Sequence, residues 1–432
     1  MLAYYLALAR RSFRRNIGLT ILMVVAIGFG VGASMTTLTV LHVLSADPIP
    51  QKSHRLFEVQ LDPRKLEGYV PGDEPPAQVS RADAEALVRA GKADHQALMT
   101  GGTAAVEPDR PDIKPFYADT RWASADFFTM FDAPFLAGTG WTAADDASAA
   151  RVCVLTRRLA DKLFGTTDAV GKTVRVGGAP LRVVGVLADW DVHPHFYDLN
   201  VDAYGDAEQL YAPFAMAQDL HLPHNGSTDC WDESVDSSAL GAPCVWIQLW
   251  VELDRDDEVA AYKDFLVHYS EDQRAAGVYQ RAPNVRLRDV LEWLDNRKVV
   301  PDDARLQMWV AFGFLLVCLV NTVGLLFTKF LRRSSELAVR RALGASRRAI
   351  FAQLFVEAGA IGLVGGAVGL GLAYLGLWAV RHQPAEYARL AELDLPMLAT
   401  TFALAIVASL LAGVVPAWRG CQVSPASQLK SH

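Results

Sequence analysis

The sequence predicts an α-helical membrane protein with four transmembrane helices in a one-plus-three arrangement and a large extracytoplasmic α+β domain. Three features carry that expectation. Four runs hold no Asp, Glu, Lys or Arg: Ile17–Leu44, Leu306–Thr328, Ala358–Val380 and Leu395–Trp418. Each exceeds the roughly 20 helical residues that cross a hydrocarbon core. Residues 46–303 separate the first run from the other three, and they mix helical with strand periodicity. Charge is also divided. Residues 46–303 hold 43 of the 48 acidic and 25 of the 41 basic residues, a net charge of −18, whereas the flanking segments are basic. Lys and Arg accumulate on the cytoplasmic side of spanning helices. Both termini and the segment between the second and third runs are therefore expected inside.

Residues 1–16 read as a cytoplasmic amphipathic helix, with Tyr4, Tyr5 and Leu8 toward the membrane interface and Arg10, Arg11, Arg14 and Arg15 toward lipid headgroups. A plain extension of the first span is the alternative. Residues 17–45 form that span. Its run is 28 residues long, beyond the roughly 7–15 of a signal-peptide core, and no small-residue cleavage site follows Leu44. Within 46–303, helices are expected at Arg81–Ala90 and Asp257–Gln273, and strands at Arg55–Leu61, Leu181–Leu187 and Val245–Leu253. The last alternates, with Ile247, Leu249, Val251 and Leu253 opposite Trp246, Gln248, Trp250 and Glu252. Pro71–Pro76, Pro108–Pro115 and His221–Gly241 read as loops.

The remaining order is a second span at 304–328, a cytoplasmic coupling loop and helix at 329–352, a third span at 353–380, a short outer loop at 381–394, a fourth span at 395–418 and a cytoplasmic tail at 419–432. Lys329, Arg332, Arg333, Arg340, Arg341, Arg347 and Arg348, against the single acid Glu336, place the loop inside. Arg419 and Lys430 do the same for the tail. The third span carries Gly362-xxx-Gly366 and Gly365-xxx-Gly369. Such small-residue spacings let helix backbones approach where lipid supplies no hydrophobic drive.

Little in the chain points to chemistry. It contains no G-x-x-x-x-G-K-[ST] phosphate loop. No catalytic residue, bound cofactor or nucleic-acid partner is expected of it, and membrane lipid is its surroundings. His193-Pro-His195 and His221-Leu-Pro-His224 read as loop histidines without a metal, because Pro separates one pair and the spacing matches no helical or finger motif. Cys230 and Cys244 flank the polar stretch Trp231–Pro243, and a disulfide between them is expected outside the cytoplasm. Cys153 reads as a buried small hydrophobe. Asn321 is expected to hydrogen-bond between helices, and Glu357 to lie at the interface near the cytoplasmic arginines.

The loop Arg332–Ile350 is the most informative segment. Leu337 and Arg341 share a helical face, Gly344 suits a left-handed helix end, and Ser346 suits the cap of a new helix entering the third span. The run Glu336-Leu-Ala-Val-Arg-Arg-Ala-Leu-Gly-Ala-Ser-Arg-Arg-Ala-Ile350 resembles the signature of the MacB/FtsX/LolC-type ABC permeases, with Leu-Ala where Ile-Gly is common. So do Val415-Pro-Ala-Trp-Arg419, Val423–Leu429, Asp126-Phe-Phe, Leu136-Ala-Gly138, Val154-Leu155, Leu163-Phe-Gly165, Gly171-Lys172 and Val183–Val186.

The resemblance implies a bacterial inner-membrane permease whose Glu336, Arg340, Arg341, Ala342, Leu343, Gly344, Ala345, Ser346 and Arg347 form the ATPase-coupling element. It implies an outer domain with a porter-like part and an inserted subdomain. It also implies a dimer with a second permease, the same or paralogous, on two copies of an ABC ATPase subunit. ATP and Mg would bind that partner, supplied in trans. Efflux of peptides, antibiotics or other amphiphiles from the outer face is the leading expectation, with a periplasmic adaptor and outer-membrane channel as candidate partners. Lipoprotein extraction and force transmission to an envelope enzyme are the alternatives.

Overall fold

The computed structural model describes residues 4, 8, 11–13, 15–233, 236–384, 386–393 and 395–422. Tyr5, Arg10, Arg14, Asp394, Lys430 and the Val423–Leu429 motif lie outside the described residues. The chain divides into two units, Met1–Ser45 with Val300–His432, and Ala46–Val299.

The Ala46–Val299 unit is built on one 12-stranded sheet. Its strands are β1 (Leu56–Gln60), β2 (Val79–Ser80), β3 (His95–Glu107), β4 (Phe116–Ala123), β5 (Phe135–Gly138), β6 (Val152–Thr156), β7 (Thr173–Val176), β8 (Ala179–Leu187), β9 (Leu210–Pro213), β10 (Asp229–Cys230), β11 (Cys244–Glu252) and β12 (Arg286–Asp289). The order is β12-β1-β11-β3-β4-β9-β6-β8-β5, with β2 and β10 also on β11. Strand β7 pairs with both β3 and β8, so the path β3-β4-β9-β6-β8-β7 returns to its start.

Side chains on successive strand residues point to opposite faces, and the sheet uses both. Leu98, Cys153, Leu155, Leu249 and Val251 join one apolar core, with Leu87 and Leu266 from the helices Arg81–Ala90 and Asp256–Ala275. Ala97, Met99, Val152, Val154 and Trp250 join the other, which is mainly aromatic: Phe127, Phe128, Phe131, Phe196, Tyr197, Tyr211 and Trp293. Trp246 departs from the expected alternation. It joins the first core together with Ile247, next to a register shift between Val245 and Ile247 in the β11–β2 pairing. The expected loop His221–Gly241 contains β10, which is stapled to β11 by the Cys230–Cys244 disulfide across directly opposed residues.

The other unit holds four helices long and apolar enough to cross a membrane: Ile17–Leu44, Asp302–Leu331, Arg347–Arg381 and Leu395–Gly420. They are called the first to fourth spans below. The third begins at Arg347, earlier than residue 353, because the Ser346 side chain caps it by accepting from the Ala349 N–H. Residues 386–390 form one 3₁₀ turn before the fourth span. Ahead of the first span, residues 11–13 and 15 are helical, with Arg11 and Arg15 exposed and Ser12 buried. Asn321 lies on the exposed side of the second span, not between helices.

Candidate functional site

The site lies at the basic end of the four-helix unit and starts from a turn. After the second span, Ser334–Ala342 forms a short helix. Leu343 follows, and Gly344 turns the chain at φ +99°. That left-handed value favours glycine, since a Cβ there meets the neighbouring backbone. The Gly344 N–H donates to the Arg341 carbonyl and the Ala345 N–H to the Arg340 carbonyl, each at 3.1 Å. This pair of bonds is the Schellman end of a helix. Ser346 then starts the third span, so two helix ends meet within a few residues.

The short helix is two-sided. Leu337 and Ala338 are buried against the spans. Val339 and Leu343, one turn apart, are 54% and 83% exposed. Arg347 and Arg348 are exposed beside them. An apolar pair on a basic rim is left facing outward.

Not all of the expected docking residues face outward. Glu336 and Arg340 are held within the chain. Arg340 donates to Gln353 Oε1 at 2.8 Å and pairs with Glu336 at 3.2 Å. Glu336 also meets Arg333 at 3.3 Å and Arg15 at 3.4 Å. Burial would raise the Glu336 carboxyl, but the Arg333 hydrogen bonds and the nearby arginine charges hold it below its usual range. These two residues position the turn.

Beneath them lies a buried ionic cluster that joins Glu357, expected near the cytoplasmic arginines, to Lys329 and Arg333, expected as topogenic charge. Glu357 of the third span is 1% exposed. It receives Lys329 Nζ at 2.8 Å and Arg333 Nη1 at 2.9 Å. The Ser12 hydroxyl donates to the same carboxylate and accepts from Arg333 Nη1 at 2.9 Å. Lys329 Nζ also reaches Thr20 Oγ1 at 3.3 Å and sits over the Phe13 ring. A buried charge is tolerated when it is paired and its remaining hydrogen-bonding capacity is used. Here one carboxylate ties the N-terminal segment, the end of the second span and the third span to the root of the turn.

Close helix packing at glycine seams extends away from the turn. A Cβ on Gly365 would lie 2.9 Å from Ile27 Cγ2, and one on Gly369 3.1 Å from Val31 Cβ. Reciprocally, Gly28 and Gly32 of the first span face Val368 and Leu372 at 2.8 Å. On the other side, Gly366 faces Ala405 at 2.9 Å and Gly362 abuts Ser409. The third span therefore packs closely on the first and the fourth. Gly28-xxx-Gly32 was legible in the sequence by the same spacing rule but was not singled out.

The family model for the MacB-like periplasmic core domain matches residues 20–267, and that for the FtsX-like permease C-terminal matches residues 308–425. The chain belongs to the MacB-like permeases. It is 25% identical over 314 residues to the macrolide export ATP-binding/permease protein MacB of Rhodopirellula baltica, covering 68% of this chain and 42% of that protein. It is 24% identical over 371 residues to the pyoverdine export ATP-binding/permease protein PvdT of Pseudomonas entomophila, covering 83% and 49%. It is 23% identical over 302 residues to the uncharacterized ABC transporter permease YknZ of Bacillus subtilis, covering 70% and 64%. The chain thus spans about half the length of the first two relatives. The turn and the third-span glycines of this MacB-like permease fall within the FtsX-like match, and Gly28 and Gly32 fall within the periplasmic-core match.

Proposed function

We propose that this permease couples ATP hydrolysis by an ABC ATPase, located outside these 432 residues, to movement of its extracytoplasmic domain. The observation that carries the reading is Leu343, 83% exposed at the tip of a turn whose opposite side is locked by buried ion pairs. An exposed leucine on a rigid, charge-rimmed turn suits insertion into an apolar socket on a partner, with the arginines tuning the encounter. Two ATPase copies carrying ATP and Mg, and a second permease, complete the proposed assembly. Both termini and the turn lie in the cytoplasm, and residues 46–303 lie outside. The macrolide export and pyoverdine export named for the MacB and PvdT relatives favour efflux of amphiphilic small molecules from the outer face. A periplasmic adaptor and an outer-membrane channel are the proposed route onward.

Reconstitution with the ATPase tests the coupling. Leu343→Asp places a charge in the proposed socket at a cost of several kcal/mol, on the order of an unpaired buried charge. Gly344→Val forces a β-branched residue to positive φ. Both variants should insert and fold, and both should lose stimulated ATPase activity. Unchanged ATPase binding and transport by Leu343→Asp would overturn the assignment.

A further inference from the structure

The outer domain gathers metal-ligating side chains in the segment between β8 and β9, which reads Asp191-Val-His193-Pro-His195-Phe-Tyr197. One ligand atom from each of Asp191, His193 and His195 lies within 4.8 Å of the other two. His193 Nε2 stands 2.8 Å from Asp191 Oδ1, and the two imidazole rings stack with centroids 4.9 Å apart. His195 is 5% exposed. Its Nδ1 lies 3.1 Å from the Asp202 carbonyl oxygen, an acceptor that fixes the ring proton on Nδ1. Nε2 is left as a bare lone pair, buried and without a hydrogen-bond partner among the described residues. A buried polar atom in that state is costly unless something binds it.

We propose that Asp191, His193 and His195 bind one divalent transition-metal ion of the zinc class, with a fourth position open to water. Two imidazoles and one carboxylate suit zinc and its neighbours, whereas magnesium and calcium favour oxygen ligands alone. The Nδ1–H bond from His195 to a backbone carbonyl is the outer-shell contact that orients metal-ligating histidines. Around a tetrahedral zinc with ligands at about 2.1 Å, ligand atoms stand roughly 3.4 Å apart. Modest side-chain shifts therefore close the site.

The backbone beneath the site is already fixed. Trp250 Nε1 donates to the Tyr197 carbonyl at 3.2 Å and Trp293 Nε1 to the Phe196 carbonyl at 3.1 Å. The His195 N–H donates to the Ala203 carbonyl at 2.8 Å. Arg121 on β4 holds Asp198 at 2.6 Å and also pairs with Glu208. The Asp191 side chain, 63% exposed, leaves the site open to solvent. The net charge of −18 on residues 46–303 draws cations toward it. The second histidine pair is not part of the site: the His224 ring stacks on Trp246, and its Nε2 meets Thr228 Oγ1 at 3.1 Å.

The proposal stands apart from the ATPase reading and is tested on the full chain in detergent, freed of any histidine tag. Titration calorimetry with zinc chloride should show one high-affinity ion per chain. Cobalt should give the visible absorption of a low-symmetry, nitrogen-containing site, and zinc should raise the melting temperature. Asp191→Asn and His193→Ala, each outside the buried core, should each weaken zinc at least tenfold. His195→Gln should abolish the cobalt bands, and His224→Ala should leave binding unchanged. Absence of zinc binding by the wild-type chain would overturn the proposal. So would wild-type affinity in both Asp191→Asn and His193→Ala.

Discussion

Glu357 shows what a single side chain contributes when one buried carboxylate pairs with two cations. Lys329 is fully buried and Arg333 nearly so. Removing the carboxylate therefore takes the paired anion from Lys329 and leaves Arg333 with its Glu336 contact. Breaking such a pair costs about 3–5 kcal/mol, whereas replacing both partners together costs far less. Glu357→Gln should accordingly lower the thermal unfolding temperature of the detergent-solubilised chain more than Lys329→Met with Glu357→Gln. A double variant whose loss equals the sum of the single losses would show that the two side chains do not interact. Legibility at this scale depends on sequence distance. Gly344 and Ser346 were readable because a helix end and a helix start are encoded within a few residues. The Cys230–Cys244 pair was readable because it closes a short polar stretch. Glu357 was expected near the cytoplasmic arginines, but Ser12, Lys329 and Glu357 meet only through the packing of three helices, so their cluster was not legible. Asp191 carries a local signal outside the expected histidine pair: Asp-x-His-x-His places three potential ligands on alternate residues.

At the scale of the element, the third span is set by its glycines. Its two seams face different helices, so an added side chain has different consequences on each face. Gly365→Leu drives into Ile27 and should destabilise by about 1–3 kcal/mol or more, the range for overpacking a filled interior. Gly371 has open space around its Cβ position, and Gly371→Leu should leave stability nearly unchanged. Thermal unfolding of the two variants side by side checks the contrast, and equal losses would refute the seam. The spans themselves were legible because apolar runs of this length have few other uses. The start of the third span was less so, since hydropathy ends where the arginines begin but the helix continues to its serine cap. Strand pairing was not legible. Periodicity places a residue on a face and says nothing about which strand lies alongside.

For the whole molecule, the division of charge predicts the threading of the chain. Alkaline phosphatase fused after Asp47 or Gln383 should be active, and fusions after Ser334 or His432 should be inactive, with the reverse for a cytoplasmic fluorescent reporter. An outside signal at Ser334 would reverse the assignment of the coupling turn. The α+β character and the one-plus-three plan were readable from periodicity and the placing of the apolar runs, whereas the return of the β3-to-β8 ladder through β7 was not. The position of β1 has a consequence in time. This strand leaves the ribosome first among the sheet's strands, yet Phe57 pairs with Val251 on one side and Asp289 on the other. At about 5–20 residues per second, the chain is synthesised for on the order of ten seconds or longer before either neighbour exists. Through that interval Leu56–Gln60 is a strand with two open edges, the state most prone to wrong pairing. Assembly of the outer domain is therefore a late event, gated by the arrival of β11 and β12, and the nascent β1 is the segment most in need of a chaperone.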